Sequence, residues 1–111
     1  MIRHCVFVDF NDDVTTARRD EVFGLIDELK HHLPGILAVH IGANVSPEEG
    51  MDKGFSDGFI VDFADAASRD TYLVDERHRA AGAQLVASAK GGAAGILVYD
   101  MEIPGKFPAE C

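Results

Sequence analysis

The chain opens on an alternation. Ile2, His4, Val6, Val8 and Phe10 fall on one side of an extended segment, with Arg3, Cys5, Phe7 and Asp9 on the other. That period of two predicts a strand over residues 2 to 10. Asn11-Asp12-Asp13 supplies turn chemistry, Thr15 is placed to cap a helix, and Val22, Ile26, Leu29 and Leu33 recur at helical spacing until Pro34-Gly35 stops them. This helix is expected to start acidic and to finish on Lys30-His31-His32, charges that suit its dipole. Alternation returns over 36 to 43, with Leu37, Val39 and Ile41 opposed to Ile36, Ala38 and His40. A polar connection from Asn44 to Asp57 leads into a third strand, Gly58 to Phe63. Asp65 caps a short helix through Tyr72 and Leu73, and Asp75 caps another from Glu76 to Lys90 that Gly91-Gly92 ends. The last strand is expected from Ala94 to Ile103. The order β-α-β-β-α-β predicts an α+β, ferredoxin-like domain over residues 1–103, a four-stranded antiparallel sheet with its helices on one face, followed by a tail over 104–111.

That topology leaves one sheet face without a cover. The residues assigned to it include Cys5, Phe7, Ile60, Leu97, Tyr99 and Met101, too large an apolar area to stand in water. Two copies are therefore expected to pack these faces together as a homodimer, with His40 inside the interface in a paired polar role.

Composition narrows the function classes. A chain of 111 residues supports one hydrophobic core. With 19 acidic against 10 basic residues and a formal net charge of −9, it has no basic footprint for phosphate, so nucleic acid is not an expected partner. Apolar runs are far shorter than the roughly 20 residues of a membrane span, and the first residues read as a strand, not a signal peptide. Two cysteines, Cys5 and Cys111, make no disulfide framework, which favours a reducing, cytoplasmic setting.

Several short motifs together resemble one family. They are the opening Met-Ile-Arg-His before alternating apolar residues, Pro34-Gly35-Ile36 at the start of strand two, and Gly42-x-Asn44-Val45-Ser46. Gly54-Phe55-Ser56-Asp57-Gly58-Phe59 and Tyr72-Leu73 followed by His78 complete the set. In that order they resemble the stress-responsive α/β barrel (Dabb) family across residues 1 to 103. The resemblance implies a ferredoxin-like protomer that pairs into a dimeric α/β barrel. It implies less about function: some plant members are linked to stress tolerance, one is a polyketide cyclase that makes olivetolic acid, and many bacterial members have no assigned reaction. In the cyclase, a tyrosine and a histidine spaced like Tyr72 and His78 act on substrate, with further histidines matching His4 and position 57. Here that last position is Asp57, a departure from the cyclase pattern.

The residues themselves support a candidate site. Strand parity puts His4 with Val6 and Val8, and Asp57 with Phe59 and Val61. If both sets face the helices, His4, Asp57, Tyr72 and His78 are expected to meet at one end of a small apolar cavity. Phe23, Ile26, Phe59, Gly82 and Leu85 would line it. His78, Gly82, Leu85 and Ala89 form one inward stripe, with Ala81 beside them. Three residues after its Asp75 cap, His78 feels the positive end of the helix dipole and is expected to stay neutral near pH 7. A neutral imidazole accepts a proton. His78 is thus the expected general base for an acidic C–H, Tyr72 the donor to the resulting enolate oxygen, and Asp57 the group that orients a histidine.

Two readings stay open. One is a cofactor-independent enzyme or binder for a carbonyl-rich small molecule, with cyclase or lyase-type proton transfer. The other is a non-catalytic, stress-protective protein whose cavity is closed by Phe23, Ile26 and Leu85. No metal site or cofactor motif is expected: His31-His32 point to different sides of their helix, and Gly91-Gly92-Ala93-Ala94-Gly95 follows a helix where a dinucleotide loop precedes one.

Overall fold

Strands β1 (Ile2–Val8), β2 (Ile36–Ala43), β3 (Asp57–Phe63) and β4 (Ile96–Glu102) form one sheet in a computed structural model that describes residues 1–104. Their order is β2-β3-β1-β4, and every neighbouring pair is antiparallel. Helices α1 (Thr16–Glu28), α2 (Ala66–Val74) and α3 (Glu76–Ser88) complete a ferredoxin-like α+β arrangement. Beyond Pro104, the expected C-terminal tail lies outside the described residues.

The alternation of β1 translates directly into burial: Ile2, His4, Val6 and Val8 are buried, and Arg3, Cys5 and Phe7 between them are half-buried. The three predicted caps hold. Thr15 accepts from the Arg18 N–H at 3.1 Å and Asp65 from the Ser68 N–H at 2.8 Å. Asp75 accepts from the N–H groups of Arg77 at 2.8 Å and His78 at 3.3 Å. A cap of this kind contributes about 1 kcal/mol by satisfying donors that the helix leaves unpaired. Asp75 has extended backbone, so the chain leaves α2 for one residue and re-enters a helix as α3.

Several boundaries differ from expectation for physical reasons. The first turn of α1 holds no acidic residue, because Asp12 and Asp13 are spent in the turn before the Thr15 cap. Lys30 and His31 sit in a separate 3-10 turn, Leu29–His31, where Lys30 pairs with Asp27 at 2.8 Å. Helix α3 stops at Ser88, two residues before Lys90, because Ala89 turns extended and bridges to Phe10. Gly92–Gly95 then makes a 3-10 turn, so β4 begins at Ile96, not Ala94. In β2, Ile36 pairs with Phe63 but Ala38 pairs with Asp62, which makes Leu37 an extra residue in a bulge. The bulge reverses parity locally. Ile36 joins the helix-facing core with Val39, while Leu37 is 59% exposed.

The core lies between sheet and helices. Val8, Val61, Phe63 and Val22 are fully enclosed, and Phe10, Phe23 and Phe59 run through it as edge-to-face pairs at 5.5 and 5.9 Å. Each such side chain contributes roughly 1.5–3 kcal/mol by leaving water. The opposite face is bare. Register places Cys5 beside Ile60 and Tyr99, and Phe7 beside Leu97, on that face; Leu97, Tyr99 and Met101 are 46%, 56% and 46% exposed. One end of it is charged, with Arg3 donating to both oxygens of the buried Asp62 at 2.8 and 3.1 Å and His40 lying 3.2 Å away. The Arg3 hydrogen bond, assisted by His40, holds the Asp62 carboxyl below the usual range against the effect of burial. Among the described residues, no helix is long and apolar enough to cross a membrane.

One turn ties the sheet edge to the helical layer. Gly35 sits at φ +85°, its carbonyl accepts from the Ala64 N–H at 2.9 Å, and a Cβ there would run into the Ser68 side chain. Gly35→Ala is therefore expected to lose about 1–3 kcal/mol in urea unfolding. Gly24→Ala, on the exposed side of α1 where a Cβ meets nothing within 4 Å, should gain about 0.5–1 kcal/mol. Equal effects of the two substitutions would contradict this account of the turn.

Candidate functional site

Tyr72 belongs to the last turn of α2 and His78 to the first turn of α3, so the one-residue corner at Asp75 brings the two rings together. Their centroids are 4.2 Å apart, tilted by 43°. Tyr72 is 1% exposed and meets Phe63 of β3 edge-on at 5.0 Å and His4 of β1 at 5.8 Å. The Tyr72 hydroxyl and His78 Nδ1 are both buried, and neither meets hydrogen-bond geometry with a partner among the described residues, although the Leu73 backbone lies close enough to the His78 ring to act on its protonation. A buried polar atom left unpaired costs about 1–3 kcal/mol, so two on neighbouring rings are unusual.

Burial sets the protonation of both groups. It pushes the Tyr72 phenol well above its ordinary value. It pushes His78 below the ordinary histidine value, helped by the nearby His4 and opposed by the Leu73 backbone and by Asp75. At neutral pH the pair is therefore an uncharged imidazole beside an uncharged phenol. The neutral His78 expected from the helix dipole is produced chiefly by desolvation.

His4 completes the cluster. It is 4% exposed, and its Nδ1 lies 2.5 Å from Asp100 Oδ1 on β4. The other Asp100 oxygen accepts from Arg69 Nη1 of α2 at 2.9 Å. Burial acts to raise the Asp100 carboxyl, but the hydrogen bonds from His4 and Arg69, with the Arg69 charge, outweigh it and leave the group below the usual carboxylate range.

Asp57 is not part of this cluster. In the antiparallel register of β1 and β3, Asp57 is opposite Val8 while His4 is opposite Val61, four positions away and roughly 13 Å along the strand. Its carboxylate instead accepts from Arg19 at 3.2 Å and from the Ser56 hydroxyl at 2.8 Å. The expectation that Asp57 orients a histidine is thus corrected: Asp100 holds that place for His4. Phe23 and Phe59 stack with each other in the core, and Ile26 and Leu85 are buried in the same cluster. Gly82, one turn beyond His78, is half-buried, with open space where a Cβ would stand. A cavity of about 630 Å³ lies on the bare face, bounded by Phe7, Ile60, Leu97, Met51 and Phe55, with Asp57 and Phe59 also in its wall. His4, Tyr72 and His78 do not line it.

Asp100 and Arg69 escaped the sequence reading, although a signal existed. Assigning Leu97, Tyr99 and Met101 to the bare face puts Asp100 on the covered face, where a carboxylate needs a partner. Arg69 precedes Tyr72 by three positions on one helix and so shares its side. Among the described residues, no group of three or more His, Cys, Asp or Glu side chains is placed to hold a metal ion.

The stress responsive A/B barrel domain (Dabb) model matches residues 2–103, and the chain belongs to that family. Among solved structures it is similar to a dimeric ferredoxin-like protein of unknown function from Jannaschia sp. CCS1, at 34% identity and TM-score 0.83 over 92% of this chain and 98% of that one. A Dabb family protein from Mesorhizobium loti matches at 19% identity and TM-score 0.71, covering 94% and 97% of the two chains. Hydroxynitrile lyase from Passiflora edulis matches at 18% identity and TM-score 0.81, covering 96% of each. These last two likenesses speak to the fold alone. A search of curated proteins gave no match.

The raised Tyr72 phenol has a measurable consequence. In the unfolded chain a tyrosine loses its proton near pH 10, while folded Tyr72 keeps it, so this contribution to stability is full below about pH 10 and is lost as pH rises further. The melting temperature of the wild type should fall more steeply above pH 10 than that of Tyr72→Phe. Parallel declines would mean that Tyr72 is not desolvated.

Proposed function

We propose that the protein works as a homodimer paired through its bare sheet faces, and that each protomer uses His78 and Tyr72 to transfer a proton on a small carbonyl compound without a cofactor. The observation that carries this reading is that two neighbouring rings, with centroids 4.2 Å apart, each hold a buried, unpartnered polar atom, the Tyr72 hydroxyl and His78 Nδ1. Groups left unpaired at a folding cost of a few kcal/mol are expected where a ligand supplies the missing partner. The chemistry follows from their protonation. Neutral His78 removes a proton from carbon next to a carbonyl, and neutral Tyr72 donates a hydrogen bond to the oxygen on which negative charge develops. Both atoms are sealed from water, so a substrate has to displace side chains to reach them; the open space at Gly82 lies one helical turn away.

Pairing is supported by the exposed Leu97, Tyr99 and Met101 and by the dimeric state of the Jannaschia relative. A lyase on the same fold supports the capacity of this architecture for such chemistry, at the level of fold. The second reading, a stress-protective protein without chemistry, is favoured by one observation: Phe23, Ile26 and Leu85 are buried and fill the space between sheet and helices.

Deuterium exchange at the central carbon of ethyl 2-methylacetoacetate, followed by NMR in D2O, separates the two. The wild type should accelerate exchange, His78→Ala should lose about 10²–10⁴-fold of that acceleration, and Tyr72→Phe about 10²-fold. The lowered His78 pKa predicts that activity persists below pH 6.5 and falls only as pH drops through that depressed value. No acceleration by the wild type, with His78 resonances unmoved by the ester, would favour the second reading. Sedimentation at micromolar concentration should show a dimer that Leu97→Glu splits; a folded wild-type monomer would contradict the pairing.

A further inference from the structure

We propose that Asp100, bridged to Arg69, is a positioning residue that accepts from His4 Nδ1, so that the neutral form of the His4 ring offers Nε2 as a second proton acceptor beside Tyr72. This rests on the proton-transfer reading above for its use, but not for its geometry.

The geometry has three links. Asp100 lies on the His4 side of the β1–β4 ladder, directly opposite His4 in register. Its Oδ1 is 2.5 Å from His4 Nδ1, and its Oδ2 accepts from Arg69 Nη1 at 2.9 Å. An ionised carboxylate has no hydrogen to give, so the hydrogen in the His4–Asp100 bond belongs to Nδ1. A neutral imidazole carries one N–H, which leaves the lone pair on Nε2. Arg69 matters because it occupies the second carboxylate oxygen and, together with the His4 hydrogen bond, favours the charged carboxylate.

The surroundings keep the ring from turning. His4 packs against Phe63 of β3 and Tyr72 of α2, lies opposite Val61 in register, and is bonded at Nδ1 to Asp100 of β4. A base, its hydrogen-bonded orienter and a phenol donor within one cluster are the parts that general-base catalysis requires. The molecule also supplies a contrast. Arg3, Asp62 and His40 form a chemically similar group on the bare face, but no unpaired buried atom lies among them. On the covered face the corresponding trio adjoins the two unpaired atoms of Tyr72 and His78. The Arg69–Asp100 pair is itself partly exposed, with side chains 24% and 27% accessible, so it contributes little to stability, whereas setting a histidine tautomer is a task that apolar residues cannot perform.

Two-bond ¹H–¹⁵N spectra of the labelled, ligand-free protein read the tautomer of each histidine. His4 should be the Nδ1–H form in the wild type and in His78→Ala, and should move toward Nε2–H in Asp100→Leu. Arg69→Gln should move it part of the way, and this milder variant decides the matter if Asp100→Leu does not fold. In the exchange assay with ethyl 2-methylacetoacetate, Asp100→Leu should lose about 10–100-fold in rate. An Nε2–H His4 in the wild type, or an unchanged tautomer in both variants, would overturn the proposal whether or not the ester reacts. A wild type with the Nδ1–H form but no exchange activity would leave the positioning intact and count against the proton-transfer reading alone. A shifted tautomer with an unchanged exchange rate would confine Asp100 to a structural role and overturn its part in catalysis.

Discussion

Four strands present two faces, and the helices among the described residues cover only one of them. That inequality divides the sequence before any chemistry enters. On β1 the even positions Ile2, His4, Val6 and Val8 face the helices, and the odd positions Arg3, Cys5 and Phe7 face outward. Everything that requires exclusion of water is on the even side, including the aromatic core and the cluster of His4, Tyr72 and His78. Leu97, Tyr99 and Met101 stand exposed on the odd side, available to a second copy, and on the other side Val98 of the edge strand β4 is also 56% exposed. Assembly and chemistry are thereby assigned to opposite faces of one sheet.

Within the covered layer, the helix break at Asp75 does the positioning. A continuous helix from Ala66 to Ser88 would separate residues 72 and 78 by roughly 600° of rotation, well off a common face. One extended residue resets the helix, and the cap that restarts it holds the backbone of His78 with the same carboxylate. The corner then presents the phenol and the imidazole to each other while Phe63 and His4 close the floor beneath them. Their protonation follows from this enclosure: desolvation keeps both groups neutral, and a neutral donor beside a neutral acceptor is the pairing that proton transfer at carbon requires.

Much of the fold was legible because alternation, caps and turn residues agree with one another. Thr15, Asp65 and Asp75 announce three helices, and the period of β1 announces both faces. What alternation does not carry is register. The bulge at Leu37 reverses Ile36, and the pairing of Val8 with Asp57 places Asp57 at the opposite end of the sheet from His4, although both have inward parity. Asp100 was hidden for the same reason. Its parity was readable, but its place opposite His4 depends on how β4 slides along β1. Tyr72 and His78 entered through the family resemblance, and their meeting depends on a local corner and not on long-range pairing.

The most direct test of this account is a high-resolution crystal structure of the protein as purified, inspected at the Tyr72 hydroxyl and His78 Nδ1. The account predicts that neither atom is bonded to a protein group. A Tyr72 hydroxyl bonded directly to His78, or to another protein group, would contradict it, because the pair would then be a satisfied part of the core with nothing left to offer a substrate.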